Sequence, residues 1–166
     1  MTNITNNGEQ VCRKVESICR AYVDVARAKL GEKCPMELLV LYWVLVDAIV
    51  GRFGFAMASL KDNELSMFRA RFPALFINWY FSGYESVTPE MVQQGVSVFE
   101  KCREEGQVIV ELAQTNDGVM NGLRVWEKQR VWGQQMMKDP LVGAITVATL
   151  VGVFGETIQV LNAERE

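Results

Sequence analysis

The chain contains no histidine among its 166 residues. Histidine is the commonest general base and the commonest side-chain metal ligand, so its absence argues against many hydrolytic and metal sites. The glycine-rich phosphate loops GxGxxG and GxxxxGK(S/T) are missing as well. We therefore expect a protein that is not an enzyme and that holds neither a metal ion nor a cofactor.

Cysteine is present, but in no spacing typical of zinc or redox sites. The four cysteines are Cys12, Cys19, Cys34 and Cys102, and no CxxC pair occurs. On one helix Cys12 and Cys19 would stand roughly 10 Å apart, which is too far for a disulfide. Free thiols are typical of a reducing compartment, and the polar N-terminal residues lack the apolar core of a secretory signal. The sequence thus predicts a cytoplasmic protein.

Excess charge of either sign is small. The formal net charge is −3, so the chain has no overall positive field to attract nucleic acid or an anionic membrane. The most basic segment, residues 119–138, interleaves arginine and lysine with two tryptophans but forms no dense basic run. A nucleic-acid partner is therefore not favoured.

Two segments are long and strongly apolar. Leu38 to Ala58 contains only Asp47 and Arg52 as charges, and 141–161 contains only Glu156. About 20 such residues can span a bilayer, but an aspartate near its centre costs about 2.5–3.5 kcal/mol. We expect both segments to be helices buried at the centre of a soluble domain, and membrane insertion is an alternative that is not favoured.

Helix boundaries are marked by specific residues. Apolar residues at a 4-3-4-3 spacing predict a helix over residues 9–30, and Gly31 is suited to end it. The pairs Thr88-Pro89 and Asp139-Pro140 each place a capping side chain before a proline at the first helical position. These pairs predict the starts of two further helices.

Two places leave the number of helices open. Pro73 interrupts a helical pattern, so we expect a kink or a new helix there. A fifth helix is expected over residues 119–137 as one piece. Since no strand alternation persists, the predicted fold is all-α: a flexible N-terminus (1–8), then one domain (9–166) of five to seven helices, with central apolar helices at about 36–60 and 140–162.

Charges embedded in apolar helices need partners if they are buried. Asp47 and Glu156 are two such groups. Arg130 falls among apolar residues of the expected fifth helix, on the side expected to face inward. One interpretation is a polar pocket built from Asp47, Arg130, Glu156 and Arg52. The alternative is an internal salt bridge that fixes the register of the helices.

Two groups of apolar residues are candidates for binding a partner. Val125, Trp132 and Met136 form a second apolar stripe on the expected fifth helix, with Trp132 as an anchor. The aromatic segment 72–84 offers Trp79 and Tyr80. Both groups are ordinary core if other helices cover them.

These features predict a non-enzymatic helical protein-interaction module, such as an adaptor, a chaperone-like protein or a regulator. Its partner would be another protein or a second copy of the chain. Two alternatives are a bundle that binds a small apolar molecule or a lipid, and a helical protein that inserts into membranes.

Overall fold

The computed structural model describes residues 7–31 and 36–163, and seven helices and no strand occur within these ranges. The predicted all-α bundle is therefore confirmed. The helices are α1 (Asn7–Leu30), α2 (Met36–Ala58), α3 (Asp62–Tyr80), α4 (Pro89–Thr115), α5 (Val119–Gln129), α6 (Val131–Met136) and α7 (Pro140–Ala163).

Most predicted helix ends are confirmed. Gly31 follows α1 with a φ of +63°, a conformation that glycine adopts without steric cost. The Thr88 hydroxyl accepts from the Met91 amide at 3.1 Å, and the Asp139 carboxylate accepts from the Leu141 amide at 2.9 Å. The N-terminus differs from expectation: residues 7 and 8 already belong to α1, and residues 1–6 lie outside the described ranges.

Helix α2 is the centre of the bundle, as predicted. All thirteen residues from Leu38 to Val50 are buried. Its largest contacts are with α4 and α7, and α1 and α3 also touch it. An isolated helix with apolar residues around its whole circumference would expose them to water, so neighbours must cover every side.

Helix α7 is not central, and this part of the prediction is wrong. Both α2 and α7 are long and apolar enough to cross a membrane by length and composition, but 78% of the most apolar window of α2 is buried against 33% for α7. Only the inner side of α7 packs on α1 and α2. Leu141 on the opposite side is 63% exposed. Composition did not distinguish the two helices because both are apolar around their circumference.

The expected fifth helix is two helices. The chain leaves α5 at Arg130, whose φ of −101° and ψ of 139° are those of extended backbone, and then begins α6. Gly133 of α6 packs so closely on the end of α5 that a Cβ atom there would collide with the carbonyl oxygen of Trp126. The missing side chain therefore allows the chain to fold back on itself.

Pro73 lies inside α3, which continues through it as one helix. Proline has no amide hydrogen for the carbonyl four residues earlier, which here belongs to Arg69. Arg103 of α4 donates its Nη2 to that carbonyl oxygen at 2.8 Å. A side chain from a neighbouring helix thus replaces the hydrogen bond that the proline removes.

The close approach of α2 and α4 requires a glycine. A Cβ atom at Gly106 would collide with the Val44 carbonyl, which belongs to the backbone and cannot rotate away. We expect Gly106→Ala to lower the free energy of unfolding by about 1–3 kcal/mol, the usual cost of overpacking. Thermal or urea unfolding measures it.

The matched control is Gly51→Ala, also within a helix. Its Cβ atom would lie 3.5 Å from Arg69 Nη1, an ordinary contact, so helix propensity should stabilise this variant by about 0.5–1 kcal/mol. Equal effects of the two substitutions would contradict the packing argument.

Candidate functional site

Asp47 lies where α2, α3 and α4 meet, and its side chain is fully buried. Arg69 Nη2 and Arg103 Nε donate to its Oδ2 atom at 3.1 and 3.2 Å. Weaker bonds from Arg69 Nε and Arg103 Nη2 to Oδ1 measure 3.4 and 3.5 Å. Each guanidinium thus meets the carboxylate with two nitrogens. We call these three residues the Asp47 ion cluster.

The Asp47 ion cluster has the properties of a structural site. Both oxygens of Asp47 accept hydrogen bonds and neither is exposed, so a substrate has no access to the carboxylate. Arg103 also binds Glu100 at 3.2 Å and lies 5.1 Å from the centre of the Phe99 ring. This arrangement matches the interpretation in which a salt bridge fixes helix register.

The expected polar pocket of Asp47, Arg130, Glu156 and Arg52 is not assembled. Asp47 binds arginines from α3 and α4 instead of Arg130. The inward position predicted for Arg130 assumed one continuous fifth helix, but Arg130 lies at the break between α5 and α6. Each of the four residues has a different contact partner.

Two of these contacts lie at the surface. Arg52 is exposed, and its Nε donates to Gln114 Oε1 at 3.3 Å. Glu156 is exposed on α7, and a hydrogen bond to it raises the pKa of the Tyr22 hydroxyl. Neither residue pairs with Asp47 or with Arg130.

Arg130 binds a second buried carboxylate, that of Glu105. Its Nη2 donates to Glu105 Oε1 at 2.8 Å, and the indole Nε1 of Trp126 donates to Glu105 Oε2 at 2.6 Å. Glu105 is 6% exposed. Trp126 precedes the α5–α6 break and Arg130 lies at it. Their two hydrogen bonds to Glu105 therefore fix the break against α4.

A cavity of about 400 Å³ opens beside the Asp47 ion cluster. Its charged side chains are Arg52, Arg69 and Glu111. The charge of Arg69 is already paired with Asp47, so Arg52 and Glu111 balance one another. The cavity therefore has no excess charge with which to bind an ion.

The aromatic candidates of α3 do not form an open surface. Trp79 is 4% exposed, and its indole Nε1 donates to Asp24 at 2.6 Å. Tyr80 is half-buried, and Arg27 of α1 donates to its carbonyl oxygen at 2.8 Å. Because α1 covers Trp79, its side chain presents no open surface to a partner.

Trp132 and Met136 do line an open surface. A groove of about 600 Å³ lies between α4, α6 and the first turns of α2 and α7, and we call it the Trp132 groove. Val125, predicted to lie beside Trp132, does not line it. The apolar residues that do line it are Leu38, Val98, Cys102, Trp132, Met136 and Val142.

Four charged side chains surround the Trp132 groove, and they differ in availability. Asp139 accepts from two backbone amides of α7, and Glu37 lies in the first turn of α2, where the helix dipole favours a carboxylate. Lys101 and Lys138 have no ion-pair partner among the described residues. The groove thus places two lysines without an ion-pair partner in the described part of the chain, and two carboxylates at helix N-termini, beside apolar walls.

The thiols that the structure describes are buried. Loss of solvation raises the pKa of Cys12 and of Cys102 from 9.0 to about 11, and it raises the pKa of Cys19 as well. Cys34 lies outside the described residues. Although Cys102 lines the Trp132 groove, its thiol is therefore protonated near neutral pH and is a poor nucleophile.

Arg69, Arg103 and Glu105 are the site residues that the sequence analysis missed. One signal was present in the sequence: Pro73 follows Arg69 by four residues and therefore leaves the Arg69 carbonyl in need of another donor. Nothing in the sequence identified Arg103 as that donor, because the contact joins two helices.

No protein-family model matches the chain, and comparisons with curated proteins and with solved structures give no significant match.

Mutation can separate the two contacts of Arg103, one to the Asp47 carboxylate and the other to the Arg69 carbonyl. We expect Arg103→Lys to lower the free energy of unfolding by about 1–3 kcal/mol, the penalty of a buried polar group left without its hydrogen-bond donor. Lysine keeps the charge but cannot bind both the Asp47 carboxylate and the Arg69 carbonyl. Urea unfolding of the purified variant measures the loss.

The same substitution in a Pro73→Ala background is the matched control. The alanine introduced there supplies an amide hydrogen to the Arg69 carbonyl, so Arg103→Lys should then cost less by about 1–3 kcal/mol, the usual penalty of a buried unpaired carbonyl. Identical losses in both backgrounds would show that Arg103 does not compensate for the proline.

Because the thiols of Cys12 and Cys102 are buried, we expect them to be alkylated slowly. At pH 8 a pKa of about 11 instead of 9.0 leaves about 100-fold less thiolate. Cys12 and Cys102 should therefore react with iodoacetamide at least that much more slowly in the folded protein than in concentrated urea, as peptide mapping by mass spectrometry would show. The folded state should also lose stability above pH 9, because unfolded thiols ionise before folded ones. Fast alkylation of either folded thiol would contradict its burial.

Proposed function

We propose that the protein is a non-enzymatic interaction module that binds an amphipathic segment of a partner protein in the Trp132 groove. The observation that supports this best is the position of Trp132 and Met136. Both are half-buried and line one open groove, so their apolar surface is held in place but is not fully covered. Tryptophan is among the residues that contribute most to binding at protein interfaces.

The shape of the groove suits apolar side chains of a partner. Its volume of about 600 Å³ is within the range of binding pockets. Met136 has a flexible side chain, so the wall can adjust to different shapes. Val98 and Leu38 complete a surface that would accept a leucine, phenylalanine or methionine from a short helix.

The charge of the groove indicates the chemistry of the partner segment. The four charged side chains of the groove sum to zero, but Lys101 and Lys138 are the two without an ion-pair partner among the described residues, whereas Asp139 accepts from amides of α7 and Glu37 lies in the first turn of α2. Acidic side chains placed against these two lysines would therefore complement them. We propose an acidic amphipathic helix as the occupant.

The chemistry of the surroundings favours binding over catalysis. The two buried carboxylates of α2 and α4, Asp47 and Glu105, are each held by arginine. The groove itself holds a protonated thiol, two lysines and the carboxylates of Glu37 and Asp139. These groups can supply apolar contact and ion pairs to a partner.

The test uses two helical peptides with the same leucine and phenylalanine anchors, one flanked by glutamates and the other by lysines. The acidic peptide should bind more tightly in fluorescence anisotropy. Trp132→Ala and Lys101→Glu should weaken it, the first by at least about 10-fold, since anchor residues contribute 1–2 kcal/mol or more. Lys101→Glu is a surface substitution that leaves the fold intact.

The matched control for the groove compares two methionines. Met136→Ala should weaken binding, and Met67→Ala should not, because Met67 is 65% exposed on α3 and does not line the groove. Tighter binding of the basic peptide, or equal binding by wild type and Trp132→Ala, would refute the proposal.

A further inference from the structure

Two side chains just outside the Trp132 groove connect its walls. Glu105 of α4 binds Arg130, the residue that precedes α6, and neither of them lines the groove. We infer that Glu105 is a positioning residue for the groove: it acts through Arg130 to hold the α6 wall at a fixed distance from the α4 wall. The consequence for a bound partner rests on the function proposed above, whereas the position of α6 can be measured without it.

The α4 wall of the groove and Glu105 belong to one face of α4. Val98, Lys101 and Cys102 line the groove, and Glu105 follows Lys101 by four residues and Cys102 by three. Residues at these spacings are neighbours on the surface of a helix. The carboxylate of Glu105 therefore lies about one helical turn beyond the part of α4 that forms the wall.

The α6 wall has little stability of its own. Helix α6 has only six residues, and isolated helices shorter than about 12 residues are marginal in water. Trp132 and Met136 therefore keep their places only because neighbouring elements hold α6. Helix α6 packs mainly on α5 and less on α7, and the groove lies between α6 and α4.

The bonds to Glu105 connect the start of α6 to α4. Arg130 donates its Nη2 to Glu105 Oε1 at 2.8 Å and its Nε to Oε2 at 3.3 Å. Trp126 donates to the same Oε2 atom at 2.6 Å, so the carboxylate cannot turn away without losing three hydrogen bonds. Trp132 follows Arg130 by two residues. The position of Arg130 therefore sets where the α6 wall begins.

The opposite end of α5 has a separate contact with α4. A Cβ atom at Gly122 would collide with backbone atoms of Ala113, so the start of α5 packs directly on the end of α4. The end of α5 and the start of α6 are bonded to α4 through Trp126 and Arg130. Loss of the Glu105 carboxylate should therefore loosen the α6 wall and leave the start of α5 in place.

The sign of the charge on Glu105 distinguishes positioning from a direct electrostatic effect. A carboxylate near the groove repels an acidic peptide, so Glu105→Gln would strengthen binding if charge alone mattered. Loosening of α6 has the opposite effect, because only the molecules with α6 in place can bind. Water screens the half-exposed guanidinium of Arg130 that remains. We therefore expect Glu105→Gln to raise the Kd of the acidic peptide by about 3- to 10-fold, as when α6 is in place in about a third to a tenth of the molecules.

Amide hydrogen exchange followed by mass spectrometry measures the position of α6 without a peptide. Glu105→Gln should speed exchange in residues 131–136 by at least about 3-fold, and it should leave exchange in α1 and α3 unchanged. Glutamine still offers an oxygen to the Trp126 indole, so this substitution is milder than a truncation. Exchange that increases equally in all helices would show general destabilisation and would contradict the inference.

The matched control is Glu16→Gln, which breaks the ion pair of Glu16 on α1 with Arg71 on α3. The two pairs have similar exposure: the acidic side chains of Glu16 and Glu105 are 17% and 7% exposed, and the arginines are 45% and 43% exposed. Glu16→Gln should change neither the exchange of residues 131–136 nor the Kd of the peptide.

Arg130→Gln tests whether Glu105 acts through Arg130, and it changes a side chain that is partly exposed, so it is the safer variant for the fold. The variant with both substitutions should bind the peptide about as weakly as the weaker of the two single variants, because one contact is lost in each case. Additive losses, unchanged exchange in residues 131–136, or wild-type affinity of Glu105→Gln would each overturn the inference. Failure of the wild type to bind the peptide would instead refute the proposed function, and hydrogen exchange would still test the position of α6.

Discussion

The fold depends on one buried carboxylate. Asp47 lies on α2, the helix that its neighbours cover on every side. Arg69 of α3 and Arg103 of α4 bind its carboxylate there. A buried ion pair is weak evidence for stability, because desolvation offsets much of the attraction. Its value here is specificity: a rotation or a shift of any of the three helices would leave a charge unpaired. The surrounding apolar contacts alone would tolerate several registers.

The proline of α3 makes this constraint stricter. Because Pro73 frees the carbonyl of Arg69, Arg103 must bind both a carboxylate on α2 and a backbone oxygen on α3. The planar guanidinium has enough donors in a fixed geometry to do so, and lysine does not. Helices α2, α3 and α4 therefore have one mutual arrangement in which the Asp47 carboxylate and the Arg69 carbonyl are both satisfied.

The sequence predicted the class of fold and the central position of α2, because helical spacing, capping pairs and uniform apolarity are local signals. The predictions that α7 is central and that the fifth helix is continuous were wrong. The outer and inner sides of α7 are equally apolar, so only the packing of α1 and α2 decides which side is covered. The break at Arg130 depends on Glu105, a residue of another helix. Of the candidate partner residues, Trp132 and Met136 line a groove, whereas the position of Trp79 is determined by Asp24 of α1.

The central position of α2 also has a consequence during synthesis. Helix α2 leaves the ribosome well before α4 and α7, which provide most of its cover. During that interval the nascent chain displays a segment with the length and apolarity of a membrane anchor. Such exposed surface is prone to aggregation until the later helices arrive, so folding is vulnerable at the stage when only the N-terminal third of the chain has left the ribosome.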